Sequence, residues 1–247
     1  MTQYDSFAQF YDAVNGEPQE LTHQLLDVLA RHAPDARSLL ELGCGTGAVL
    51  AGLGSGLSRT GIDVSERMLA HARRRCPDVR LVTGDITDFD LHETFDVVIC
   101  VFDTLNHVTT LEGWASVFAN AAAHLRDNGL FVFDLNTVGR LRDLGDMAPW
   151  VYDFDGHTLV MDVDFSDDPL ATWDIRVFER LGDASFRLHH ESIVELAVGL
   201  DVVRAMLSPS FDVLEESDLR GSRPTDDSVR ALFVARRVAA AASTPSH

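Results

Sequence analysis

Glu41-Leu42-Gly43-Cys44-Gly45-Thr46-Gly47 follows the apolar run Ser38–Leu42 and precedes residues 48–57, a helical pattern weakened by glycines. A short strand, a turn of alternating glycines and a helix form the opening unit of a parallel α/β sheet. The glycines permit a sharp turn and remove the Cβ that would hold a ligand off the backbone. In open α/β sheets, ligands bind at this carboxyl end of the strands. The spacing is G-x-G-x-G, not the G-x-G-x-x-G of dinucleotide loops.

The same alternation continues outward. Residues 20–32 carry Leu21, Leu25, Leu26, Val28 and Leu29 at helical spacing. Residues 59–64, 79–82, 95–101 and 130–135 read as strands, with helices over 65–75, capped by Ser65, and over 112–125. Asp127-Asn128-Gly129 reads as a turn. From Trp150 the texture becomes β-rich, with runs over 157–165, 172–180 and 186–196 separated by Asp, Gly and Pro turns. A short helix over 201–207 and strands at 211–214 and 231–237 complete the chain. The expected fold class is therefore α/β: a doubly wound, mostly parallel seven-stranded Rossmann-like sheet, with an antiparallel β insertion after strand five. Residues 1–149 and 197–238 form the expected core, 150–196 the insertion and 239–247 a disordered tail.

The 247 residues carry 20 basic and 39 acidic side chains, a formal charge of −19. Such a surface repels phosphate backbones and anionic membranes, so no nucleic acid and no membrane is expected as partner. Arg73, Arg74 and Arg75 read as the solvated end of a helix. Cys44, Cys76 and Cys100 show no paired spacing, which argues against disulfides and zinc and for a reducing, cytoplasmic setting. The first residues lack the basic and apolar regions of a signal peptide, and no apolar run is long enough to span a bilayer.

Glu41 ends the first strand beside the glycine turn. A diphosphate held there would meet an unfavourable carboxylate, whereas a ligand bearing ammonium and sulfonium groups would be attracted. Asp63 closes the second strand and suits two ribose hydroxyls; the alternative is a partner for the following helix. Asp85, after the third strand, suits an adenine amino group; the alternative is a loop cap.

Together with GIDVSERM (61–68), GDI (84–86), FDVVICVFDTLNH (95–107) and LRDNGLFVFD (125–134), this segment resembles the class I S-adenosylmethionine (SAM)-dependent methyltransferases. YDSFAQFYD (4–12) resembles a small-molecule branch that includes amino-sugar N-methyltransferases, which also carries a β-rich insertion after strand five. The resemblance implies SAM as cofactor. It places Glu41, Gly43, Cys44, Gly45 and Gly47 around the methionine half, Asp63 at the ribose, and Val64 and Met68 at the adenine. Asp85 and Ile86 meet the adenine edge, Val101 and Phe102 form the floor below the methyl donor, and Tyr4 and Tyr11 belong to a lid.

The expected reaction is methyl transfer to a nitrogen or oxygen of a small molecule by in-line displacement, needing chiefly alignment and exclusion of water. His107 is the candidate general base or acceptor contact, because imidazole titrates near neutral pH; Tyr11 is the second catalytic candidate. His189, His190 and Glu191 do not make a metal site, since His190 points away from the other two on a strand, and no metal is expected. Asp134 and Asn136 are placed near the acceptor mouth, and Asp153, Asp155, Asp162 and Asp164 either favour a cationic acceptor or form a solvated face. A homodimer through the insertion is compatible with this reading. The competing readings are an O-methyltransferase of a phenol or hydroxyl metabolite, a SAM-binding protein without transfer activity and a nicotinamide-dependent oxidoreductase.

Overall fold

The computed structural model describes residues 4, 6–182 and 184–238, so the expected tail over 239–247 lies outside the described residues. The chain runs α1 (Tyr11–Asn15), α2 (Gln19–His32), β1 (Ser38–Leu42), α3 (Ala48–Gly52), β2 (Ser58–Asp63), α4 (Glu66–Arg75), β3 (Arg80–Thr83) and β4 (Phe95–Cys100). A 3-10 turn (Thr104–His107), α5 (Leu111–Ala123), β5 (Leu125–Asn136) and α6 (Val138–Gly145) follow. Then come β6 (Trp150–Phe154), β7 (His157–Asp167), β8 (Leu170–Arg180), β9 (Phe186–Leu196), α7 (Leu200–Leu207), β10 (Phe211–Ser217) and β11 (Arg230–Arg237).

Seven strands form one sheet in the order β10-β11-β5-β4-β1-β2-β3. β1, β2, β3, β4 and β5 pair in parallel, while β11 runs antiparallel to both β5 and β10. The order reverses at β1, between β4 and β2, and the crevice beyond its carboxyl end is where such sheets hold ligands.

Alternation along the central strands sends side chains to two cores. Leu40, Leu42, Val98, Cys100, Phe131 and Phe133 pack with Trp114, Phe118 and Val203 from α5 and α7. Leu39, Val97, Ile99, Leu130 and Val132 pack on the other face with Leu25, Val28, Leu50 and Leu69 from α2, α3 and α4. Buried on both faces, these strands are continuous apolar runs, as parallel strands are.

β6, β7, β8 and β9 make a separate antiparallel sheet of four strands. Its inner face, with Leu159, Ile175, Val177 and Ile193, packs against Phe7 and Phe10 of the N-terminal segment. The register puts Val151, Val160, Phe178, Phe186 and Leu188 on the opposite face.

Local differences from the sequence pattern have identifiable causes. α3 stops at Gly52 rather than at residue 57, where glycines at 52, 54 and 56 weaken the helix. The expected turn at 127–129 lies inside β5, whose pairing skips between Phe95 and Val97 while Asn128 takes a left-handed φ of 62°. Residues 138–145, assigned no helix from pattern, form α6 behind Thr137, whose hydroxyl caps the Arg140 amide.

Candidate active site

The carboxyl ends of β1, β2 and β4, the N-terminal segment and the 3-10 turn enclose a cavity of about 510 Å³. Tyr4, Tyr11, Glu41, Gly43, Cys44, Gly45, Asp63, Val64, Met68, Asp85, Ile86, Val101, Phe102 and His107 line it. Gly47 does not. It caps α3 at φ 75°, and a Cβ there would lie 2.8 Å from Cys76 Sγ. Gly43, at φ 71°, is equally restricted: a Cβ would stand 2.3 Å from Thr104 Cγ2.

Glu41 occupies a core position of β1 and is 3% exposed, which excludes a solvated strand-end charge. Its Oε2 is buried without a hydrogen-bond partner. Burial, reinforced by Asp63, pushes its carboxyl well above the usual range. A buried carboxylate with an unused oxygen on a cavity wall suits a cationic group. Asp63 ties the loop to the sheet, accepting from the Gly45 amide and the Ser65 amide, each at 2.8 Å. Burial raises its carboxyl, opposed by those two amides. Asp85 is exposed and caps its own loop, accepting from the Thr87 amide at 2.8 Å and hydroxyl at 2.7 Å.

At the other end of the cavity, Tyr4 Oη lies 3.0 Å from His107 Nε2, with Tyr11 edge-on to Tyr4. Burial lowers His107, against the pull of Asp103 at 3.9 Å, so the imidazole is held neutral. Burial raises the Tyr4 phenol well above its ordinary value, helped by Tyr11 and Asp103.

Behind this pair lies a set of charges that pattern reading did not assemble. Arg230 donates to Asp134 Oδ2 at 3.0 Å and Asp103 Oδ1 at 2.6 Å, and stands over the Phe102 ring. Burial alone would lower Arg230; Asp134 and Asp103 more than reverse it. Glu195, 2% exposed, accepts from Asn136 Nδ2 at 3.0 Å, and burial pushes its carboxyl well up. Asp134 and Asn136 are therefore buried supports beneath the mouth and do not line it. Fully buried Asn106 joins the elements: its Nδ2 donates to the Asn136 and Leu196 carbonyls and its Oδ1 accepts from the Asn136 amide.

Asp103, His107 and Glu195 bring one ligand atom each within 4.8 Å of one another. The Asp103–Arg230 pair places a guanidinium against the trio, which disfavours a metal cation. His189 pairs with Glu179, His190 with Asp174, and Glu191 accepts from the Ser6 amide. Asp153, Asp155, Asp162 and Asp164 lie away from the cavity; three of them accept local bonds and Asp155 sits in a turn. Arg73 pairs with Glu66, while Arg75 turns inward to Asp12 and Glu17.

A methyltransferase-domain family matches residues 39–129, from β1 to β5. The chain is 36% identical over 111 residues to dTDP-3-amino-3,4,6-trideoxy-alpha-D-glucopyranose N,N-dimethyltransferase of Streptomyces venezuelae, covering 44% of this chain and 47% of that protein. It is 36% identical over 132 residues to dTDP-3-amino-3,6-dideoxy-alpha-D-glucopyranose N,N-dimethyltransferase of Streptomyces fradiae, covering 51% and 52%. The matches thus span about half the length of these curated relatives. A SAM-bound amino pentose methyltransferase from Micromonospora echinaspora superposes with a TM-score of 0.75 at 25% identity, over 96% of this chain and 99% of that one. A SAM-dependent methyltransferase from Clostridium acetobutylicum shares the fold at a TM-score of 0.85 and 21% identity, over 96% and 99%. Residues 39–129 thus match a methyltransferase-domain family, and the chain as a whole has the same Rossmann-like fold as these solved structures.

Proposed function

We propose that the protein is a SAM-dependent methyltransferase acting on the nitrogen of a small molecule. The observation that carries this reading is Glu41: a buried carboxylate, one oxygen unpartnered, beside a bare-backbone glycine turn. Those residues fit a ligand with cationic groups and no phosphate, and disfavour a nicotinamide dinucleotide. Glu41, Gly43, Cys44 and Gly45 would hold the methionine half, and Asp63 the ribose. Val64 and Met68 would flank the adenine, with Asp85 and Ile86 at its edge.

When bound, SAM supplies a methyl group already activated on sulfonium sulfur. What remains for the chain is positioning and proton handling. Val101 and Phe102 form the floor on which acceptor and methyl donor meet, and Tyr4 and Tyr11 close the cavity against water. A neutral His107 takes the proton of an arriving ammonium at Nε2, displacing the Tyr4 hydroxyl bonded to that atom, and so frees the nitrogen lone pair for attack. Tyr11 acts through closure of the site rather than as a base, since burial holds its phenol protonated. Nitrogen is favoured over a hydroxyl because a buried neutral imidazole is a weak base: it can relay an ammonium proton but cannot ionise an alcohol.

Exposed Val151, Phe186 and Leu188 on the outer face of the four-stranded sheet support a homodimer through the insertion. Three buried cysteines without disulfides fit a cytoplasmic setting. Among the described residues, no helix is long and apolar enough to cross a membrane. The reading is tested by a co-crystal with S-adenosylhomocysteine: the amino-acid end is expected beside Glu41 and the ribose on Asp63. Density for it elsewhere, or none at saturation, contradicts the assignment.

A further inference from the structure

Resting on the methyltransferase reading above, with His107 as its base, we infer that Arg230 is a positioning residue for the transfer. It holds the turn that aims Phe102 and keeps the Asp103 carboxylate from pairing with His107. Phe102, on the cavity wall, and Asp103, between β4 and the 3-10 turn, take positive φ of 60° and 51°. Among the described residues, no other two adjacent non-glycine positions do so. L side chains rarely adopt this region, and phenylalanine has no polar atom to stabilise it. Such conformations persist where surrounding contacts over-determine them, and they gather at working sites.

Those contacts converge on Arg230, at the start of β11 and opposite Asn136 of β5. Its guanidinium donates to Asp103 Oδ1 at 2.6 Å and to Asp134 Oδ2 at 3.0 Å. The guanidinium carbon stands 5.9 Å from the centre of the Phe102 ring. Asp134 Oδ1 in turn accepts from the Asp103 amide at 2.7 Å. One planar cation thus fixes the Asp103 side chain, the acid that anchors the Asp103 amide and the ring that faces the cavity. A lysine supplies the charge but not the fork.

The consequence falls on His107. Its Nε2 lies 3.0 Å from Tyr4 Oη and 3.9 Å from Asp103 Oδ2, the latter beyond hydrogen-bond reach. Glu195 of β9 is the other acid beside it, and burial pushes that carboxyl well above the usual range. With Oδ1 tied to Arg230, Asp103 stays at its distance and its charge is offset. Freed from Arg230, the carboxylate needs to move only about 1 Å to accept from a protonated imidazole. An imidazolium paired in that way no longer receives the acceptor's proton.

The test uses the full chain saturated with S-adenosylhomocysteine, with ring-labelled histidine followed by NMR against pH. The His107 signal is the one missing from His107→Gln. We expect Arg230→Met to raise the His107 titration by about one pH unit or more, and Arg230→Lys to recover part of that shift. Adding Asp103→Asn to Arg230→Met should abolish it, since asparagine tolerates the left-handed turn and removes the charge. An unchanged His107 titration in Arg230→Met, or a shift that survives Asp103→Asn, overturns the inference. Should Arg230→Met not fold, Arg230→Lys decides by the same readout: a smaller upward shift supports the inference and none overturns it. Loss of S-adenosylhomocysteine binding in Arg230→Met would mark a support of the whole cavity and also overturns it. Failure of the wild type to bind S-adenosylhomocysteine removes the methyltransferase reading instead.

Discussion

Glu41 spends a core position of β1 on a carboxylate whose charge has no protein partner. Its carboxyl, raised by burial and by Asp63, holds its proton over a window above the ordinary glutamate range. A cationic ligand prefers the ionised form, so binding expels that proton. SAM affinity is therefore expected to rise with pH through the raised Glu41 value and to level off above it. Calorimetry in buffers of different ionisation enthalpy should detect the released proton, and Glu41→Gln should abolish it. An unchanged proton count in the variant would remove Glu41 from the binding account. His107 carries the opposite sign. Its folded value is lowered by burial, so the unfolded chain binds more protons just below the ordinary histidine value of about 6.5. Its contribution to stability is complete above that value and is lost as pH falls toward the lowered one. His107→Gln should flatten that part of the urea-derived stability profile; an unaltered slope would show that other groups titrate there.

At the scale of elements, the site depends on a 3-10 turn locked to two sheets. Asn106 bonds the end of β5 and the end of β9 at once. Asn106→Ala should cost about 1–3 kcal/mol of unfolding free energy in urea, since it leaves buried backbone groups unpaired. It should also lower kcat through misplacement of His107 while leaving S-adenosylhomocysteine affinity near wild type. Loss of both stability and cofactor affinity would mean that Asn106 supports the whole cavity. Local reading reached the glycine turn, the acids after β1, β2 and β3 and the insertion, because each is encoded within a few residues. It did not reach the Arg230–Asp134–Asp103 set, whose members come from three distant stretches and meet only through the β11–β5 pairing. Glu195 left a faint signal: with Glu191 and Ile193 it shares the buried phase of β9, where an alternating strand ordinarily places apolar residues. The capping role of Asp85 was legible as an alternative, and the structure realises it.

Across the molecule, two sheets of different character divide the work. The seven-stranded sheet supplies a rigid crevice with both faces buried, and the four-stranded sheet closes over the N-terminal segment that carries Tyr4 and Tyr11. The outer face of the smaller sheet leaves Val151 65% exposed and Phe186 and Leu188 54% exposed each, which is costly in water without a partner. Analytical ultracentrifugation is expected to give the mass of two chains. Phe186→Asp with Leu188→Asp should return a monomer that still binds S-adenosylhomocysteine, and a monomeric wild type would contradict the dimer.

The most direct test of the central claim, that an onium ligand and not a diphosphate belongs on the glycine turn, is a thermal-shift comparison of S-adenosylhomocysteine with NADH. The expected result is a rise in Tm at micromolar S-adenosylhomocysteine and none with NADH. Stabilisation by NADH, with S-adenosylhomocysteine inert, would contradict it.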